Sequence, residues 1–251
     1  MHSIRFCNLA HALTAKGLVV YAIDHYAHGK IPDPLGIEAN PPWPGKSEGV
    51  RGLIVDYRIL VEDFVYASLL KFYHSPYSLS LSSHLATLAR NAHPGLPLSI
   101  AAHSMGTLIS TLAMLQIPDV KCAVFSGAAL FQGPDAASPF GVRFLYPISQ
   151  TALAKDICKF LARLDPKGPA APILLSGITT SQKVLDTIHI DPEHNSSPCM
   201  NKTAYEFLLM NDEVKANIGK IAIPLLCMHG EMDAITLPKS SEFFIEHCGE
   251  I

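Results

Sequence analysis

No stretch of the 251-residue chain approaches the ~20 consecutive apolar residues that a membrane-spanning helix needs, so any membrane contact is expected at the surface only. The first residues lack the apolar core of a secretory signal, which sets the expectation of a cytoplasmic protein, with the membrane surface as its one alternative. There is no basic block: Lys and Arg number 19 against 22 Asp and Glu, for a net charge of −3, which argues against nucleic acid as a partner. Metal-ligand spacing is also missing. No His-Glu-x-x-His occurs, and His25-x-x-His28 has no third ligand at sensible spacing. The six cysteines (Cys7, Cys122, Cys158, Cys199, Cys227, Cys248) follow no motif, so a reducing compartment is the expectation.

What the chain has is apolar residues, at 49% of the total, enough for one medium domain carrying an insertion. Strands covered on both faces would account for this content, as would an apolar substrate pocket. The chain is organised around Leu98-Ser-Ile-Ala-Ala-His-Ser-Met-Gly106. A short apolar run ends there, and a helical pattern follows through Leu108, Ile109, Leu112 and Leu115. The order is strand, sharp turn, helix, with Ser104 at the apex and small residues, Ala102 and Gly106, two positions to either side. Such a turn lifts a hydroxyl clear of a sheet and points helix N–H groups at any oxyanion formed beside it. The plain alternative is a serine in an ordinary strand-to-helix turn.

Residues 5–15 carry a weak helical pattern, and Gly17 to Ile23 reads as a buried parallel strand. The proline-rich residues 30–44 read as a loop. From Gly52 an amphipathic helix is expected, with Ile54, Val61, Phe64, Val65, Leu69 and Phe72 on one face and an end at the Ser-rich 75–83. A second short helix runs to about Arg90. Lys121 to Ser126 and Ile221 to Met228 read as further buried strands, with Cys122 and Cys227 as small core residues. Strands separated by helices indicate an α/β architecture with a mostly parallel sheet. Residues 131–215 break that rhythm. Within them Ser149 to Leu164 places Leu153, Ile157, Phe160, Leu161 and Leu164 on one stripe, either facing the core or covering a lipid-binding cleft or membrane surface.

Ala102-His-Ser-Met-Gly106, Asp24…His28-Gly29, Gly45-Lys-Ser-Glu-Gly…Arg51 and Pro224-Leu-Leu-Cys-Met-His-Gly-Glu-Met-Asp233 together resemble the monoglyceride lipase branch of the α/β-hydrolases. The resemblance implies an α/β-hydrolase fold with core residues 1–130 and 216–251 and a helical lid, 131–215. It implies Ser104 as nucleophile of an acyl-enzyme, Asp233 as the acid that orients an imidazole, and the Met105 N–H as an oxyanion donor. It implies an acyl-lipid ester as substrate and, through the lid, contact with a membrane surface. No cofactor is implied, because acyl transfer needs none.

In that family a His-Gly oxyanion loop precedes the first helix and the catalytic His follows the acid by one further strand. Neither is found in this sequence, so the expectation is a chain truncated at both ends. His247 is excluded as the base because Pro238 to Cys248 reads as a helix leading about 15 Å away from the Asp233 loop. His103 is expected to project away from the Ser104 hydroxyl. Two other readings stay open: an inactive relative that binds lipid or protein, and a lysophospholipase or aminopeptidase on the same fold.

Overall fold

A computed structural model describes residues 3–22, 25, 28, 50, 52–65, 85–137, 144, 146–172, 174, 177, 179–191 and 198–250. The elements in chain order begin with α1 (Cys7–Thr14), α2 (Tyr57–Val65), α3 (Leu85–Ala92), β1 (Leu98–His103), α4 (Met105–Met114) and β2 (Val120–Ser126). There follow α5 (Pro134–Ala137), α6 (Tyr146–Ser149), α7 (Ala152–Leu164), β3 (Pro169–Ala171), α8 (Gln182–Ile190) and β4 (Cys199–Met200). The chain closes with α9 (Asn201–Asn217), β5 (Leu225–Met228) and α10 (Lys239–His247).

The central sheet of the described residues is parallel, in the order β1-β2-β5. In register, Ile100 lies beside Ala123 and Leu225, and Ala102 beside Phe125 and Cys227. These residues share one face, and the core is built on it. Leu108, Ile109 and Leu112 from α4, Leu60 and Val61 from α2, and Met210 and Val214 from α9 are all buried there. Phe244 of α10 meets Phe125 edge-on at 5.3 Å between ring centres, and both are fully buried. Each such ring contributes roughly 1.5–3 kcal/mol through burial.

Coverage of both sheet faces is not what the described residues show. Ala101 and His103 of β1 and Leu226 and Met228 of β5, on the opposite face, remain exposed, Leu226 at 56%. Helix α1 forms where expected but buries none of its residues, and Phe6, just ahead of it, lies edge-on to His103 on this face. Cys227 packs against the core, whereas Cys122 lies half-buried beside Ser99.

The expected strand from Gly17 to Ile23 is corrected. Residues 18–22 join no ladder, and Leu18 and Val19 are about half exposed, at 53% and 51%. An apolar run becomes a strand only where a neighbouring backbone completes its hydrogen bonds. Ile23, residues 30–44, the Gly45–Gly49 motif and the 66–84 stretch holding Leu69 and Phe72 lie outside the described residues.

Boundaries elsewhere shift for local reasons. Helix α2 starts at Tyr57, because the Asp56 carboxylate accepts the Arg58 N–H and buried Glu206 accepts the Tyr57 N–H. Helix α7 starts after Thr151, whose hydroxyl accepts the Ala154 N–H. Strand β5 begins only after Pro224, which has no N–H to give a ladder.

The apolar stripe of α7 faces outward: Leu153, Phe160 and Leu164 are each more than 60% exposed, and only Ala162 is fully buried. Of the two orientations open to it, the structure takes the one away from the core. The other flank of α7 rests on α9, where Lys155 pairs with Asp212.

Two glycines give opposite expectations. A Cβ on Gly133 would lie 2.2 Å from the Ala234 carbonyl oxygen, so Gly133→Ala is expected to destabilise by about 1–3 kcal/mol or more. A Cβ on helical Gly106 would lie 3.9 Å from that of Ala102, an ordinary contact, so Gly106→Ala is expected to stay within about 1 kcal/mol of the parent. Denaturant unfolding of both variants checks the pair.

Candidate active site

Ser104 is the single non-glycine residue with positive φ among the described residues, at φ 53° and ψ −126°. That backbone costs on the order of 1–3 kcal/mol and persists only where its surroundings hold it. Here the Ser104 N–H donates to the Ser126 carbonyl at the end of β2, at 3.0 Å. The Ser104 carbonyl accepts both the N–H and the hydroxyl of Thr107, at 2.9 and 2.7 Å. The chain therefore leaves β1, turns on one residue, and enters α4 with the Met105 N–H in the first turn.

Asp233 lies beyond β5, at the same end of the sheet as Ser104, with β2 between their two strands. At ~4.8 Å per strand step, the ends of β1 and β5 are about 10 Å apart. Gly127, at the exit of β2, stands between them. Its N–H donates to the Met228 carbonyl at 2.8 Å, and a Cβ placed on it would meet His103, Thr236 and the Asp233 carboxylate within 4 Å.

The Asp233 loop is held on several sides. Asp233 Oδ1 accepts the N–H groups of Ile235 and Thr236, at 2.9 and 2.8 Å, and Oδ2 accepts the Thr236 hydroxyl at 3.0 Å. Residues 131–135 run alongside: Gly133 N–H donates to the Ile235 carbonyl, Asp135 N–H to that of Ala234, and Leu237 N–H to that of Phe131. Gly133 is glycine because the Ala234 carbonyl passes where a side chain would be.

Among the described residues His229 and His103 lie at this end of the sheet, and the sequence assigned a catalytic role to neither. The His229 ring is nearly buried and 3.6 Å from Asp233 Oδ2. Its Nε2 lies 2.7 Å from the Thr236 carbonyl oxygen and its Nδ1 2.7 Å from the Ser241 hydroxyl. The spacing His229…Asp233, four residues across a loop that doubles back, was the available signal. The His103 ring is engaged by the Ser126 hydroxyl, 3.4 Å from Nδ1, and by Phe6.

His103 retains solvent exposure, yet the groups packed beside it strip water from the ring and lower its pKa. Proximity to His229 acts in the same direction, and the Ser126 contact and Asp233 oppose it. His247 lies elsewhere: it stacks on Phe243 in the last turn of α10, and Gly249 just beyond bonds to Ile221, ahead of β5 and at the far end of the sheet. Among the described residues no group of three or more His, Cys, Asp or Glu side chains converges as a metal site requires. Asp24, His2 and Arg51 lie outside the described residues.

Residues 1–250 match the hydrolase family described as serine aminopeptidase, S33. The monoglyceride lipase homolog of Monkeypox virus is 22% identical over 246 residues, covering 98% of this chain and 72% of the relative. The monoacylglycerol lipase of Mycolicibacterium smegmatis is 24% identical, covering 98% of this chain and 71% of the relative. Human monoglyceride lipase is also 24% identical, with 98% of this chain and 66% of its own length covered. The crystal structure of Paleococcus ferrophilus monoacylglycerol lipase superposes with a TM-score of 0.67 over 99% of this chain and 76% of that one, at 18% identity. The structural likeness shows the fold, that of the α/β-hydrolases.

The depressed His103 pKa has a stability consequence. Between its folded value and the ~6.5 of an unfolded histidine, the unfolded chain binds more protons, so stability rises with pH across that window and is lost as pH falls through it. His103→Asn is expected to flatten the drop in melting temperature between about pH 7.5 and 5.5. Thermal scans of parent and variant across that range decide it.

Proposed function

The chain belongs to the serine aminopeptidase S33 family of α/β-hydrolases, and from that premise we propose that it is a serine carboxylic ester hydrolase acting on monoacylglycerols or similar acyl-lipid esters. The observation that carries this reading is the strained Ser104 corner, set at the sheet end that also presents the pinned Asp233 carboxylate. In the proposed reaction the Ser104 oxygen attacks the ester carbonyl and forms a tetrahedral oxyanion beside the Met105 N–H. Collapse expels the alcohol with a proton and leaves an acyl-enzyme, which water then cleaves to release the fatty acid. The reaction requires an imidazole oriented by Asp233 to carry the proton between these steps. Relatives named as monoglyceride lipases support the substrate class.

One observation favours the second reading, an inactive lipid-binding relative. Both nitrogens of His229 are occupied, and His103 is engaged by Ser126 and Phe6, so neither imidazole stands ready between Ser104 and Asp233. Reaction with a fluorophosphonate probe separates the two. The hydrolase reading expects labelling of Ser104 and release of fatty acid from monoacylglycerol, with Ser104→Ala abolishing the label and lowering turnover on the order of a thousandfold. Binding of the lipid without labelling or turnover would support the inactive relative instead.

Residues 131–215 are proposed as a lid that rests on lipid. Leu153, Ile157, Phe160 and Leu164 on α7, with Phe144 and Ile148 before it, form an outward apolar surface, and Lys159 and Arg163 are exposed on the same helix. No helix of the described residues is long and apolar enough to cross a membrane; the contact proposed is peripheral. Phe160→Glu is expected to weaken binding to anionic phospholipid vesicles severalfold in a sedimentation assay while leaving turnover of a short soluble ester unchanged. Equal vesicle binding by parent and variant would remove the lid from the interaction.

A further inference from the structure

We infer that His229 is a positioning residue for the proposed hydrolysis, holding the loop that aims the Asp233 carboxylate; the inference rests on the reading of Asp233 given above. The chemistry of its two partners fixes the ring. A carbonyl can only accept, so the Nε2 atom, 2.7 Å from the Thr236 oxygen, carries the proton. In the neutral ring Nδ1 is then the acceptor, and the Ser241 hydroxyl at 2.7 Å donates to it. His229 thus ties the end of β5, where it sits, to the far side of the loop at Thr236 and to the first turn of α10 at Ser241.

Thr236 is the residue through which this acts. Its N–H and hydroxyl supply two of the three donors on Asp233, one to each oxygen, and its hydroxyl also lies 3.4 Å from the Gly127 carbonyl. A shift of the Thr236 backbone therefore moves both donors together and turns the carboxylate. With His229 in place the loop is closed by a bond between residues seven apart, and Asp233 sits inside that closure. The ring is 6% exposed and its distance to Asp233 Oδ2 is 3.6 Å, beyond a hydrogen bond, so it acts on Asp233 through Thr236.

The test uses the whole chain and three variants. His229→Ala is expected to lower kcat for a short ester on the order of tenfold or more, with KM within about twofold, because misaiming by a fraction of an ångström affects the transition state rather than ground-state binding. His229→Gln, whose amide N–H still reaches the Thr236 carbonyl, is expected to recover most of that loss. Ser241→Ala removes only the hydroxyl on Nδ1 and is expected to lower kcat by a smaller factor, which keeps the test alive if His229→Ala does not fold. A kcat unchanged in His229→Ala, or a Gln variant no better than Ala, overturns the inference.

Should the parent prove inactive, the hydrolase reading fails and the loop closure is judged by 15N-histidine NMR. A neutral ring protonated at Nε2, with the Ile235 and Thr236 amide signals displaced in His229→Ala and largely restored in His229→Gln, supports the closure. A ring exchanging between tautomers overturns it.

Discussion

The whole site depends on one backbone corner. Ser104 occupies a conformation that side-chain-bearing residues avoid, and two neighbours hold it there: the Ser126 carbonyl accepts the Ser104 N–H, and the Thr107 N–H and hydroxyl donate to the Ser104 carbonyl. The Ser126 bond extends the β1–β2 ladder by one residue past the end of β1, so the parallel pairing itself fixes where the turn occurs. The Thr107 bonds begin α4 at once, and Thr107 is fully buried, its hydroxyl also accepting the Ala129 N–H at 3.3 Å. Sheet, helix and the segment leaving β2 therefore meet at the same few atoms. The strain is local, and the packing that offsets it is shared by the entire core.

Asp233 reaches this corner through a different kind of order. Between β2 and β5 the chain makes a long excursion, yet it returns so that residues 131–135 and 233–237 lie against each other by main-chain hydrogen bonds. The segment that leaves the sheet and the segment that re-enters thus brace one another. Gly133 permits this by having no side chain, and the carboxylate at its centre accepts three hydrogen bonds from its own loop.

Much of this was legible in the residues. The strand-turn-helix order around Ser104 and α10 leading away from Asp233 are present as read, and the two following strands form, the second only from Leu225 and on a sheet left open on one face, because a short apolar run bounded by Gly or Pro has few other options. The residues 17–23 misled for the converse reason: an apolar run says that a segment can be buried, not that a partner strand lies beside it. The stripe on α7 shows the same limit. Periodicity locates Leu153, Ile157, Phe160 and Leu164 on one side but cannot say whether that side meets protein or solvent; the structure turns it outward. His229 stood inside the Pro224–Asp233 motif without a role, because its partners, the Thr236 carbonyl and the Ser241 hydroxyl, lie beyond that motif.

Helix α9 has one flank in the core, through Met210 and Val214, and the other under α7, and it also secures the start of α2 by way of Thr203 and Glu206. Lys155 and Asp212 join α7 to it directly. A flap swinging free with α7 alone would tear that ion pair and bare Ala162 to water. Helix α7 is therefore moored to α9, and its apolar stripe keeps its outward aim for as long as α9 stays seated in the core.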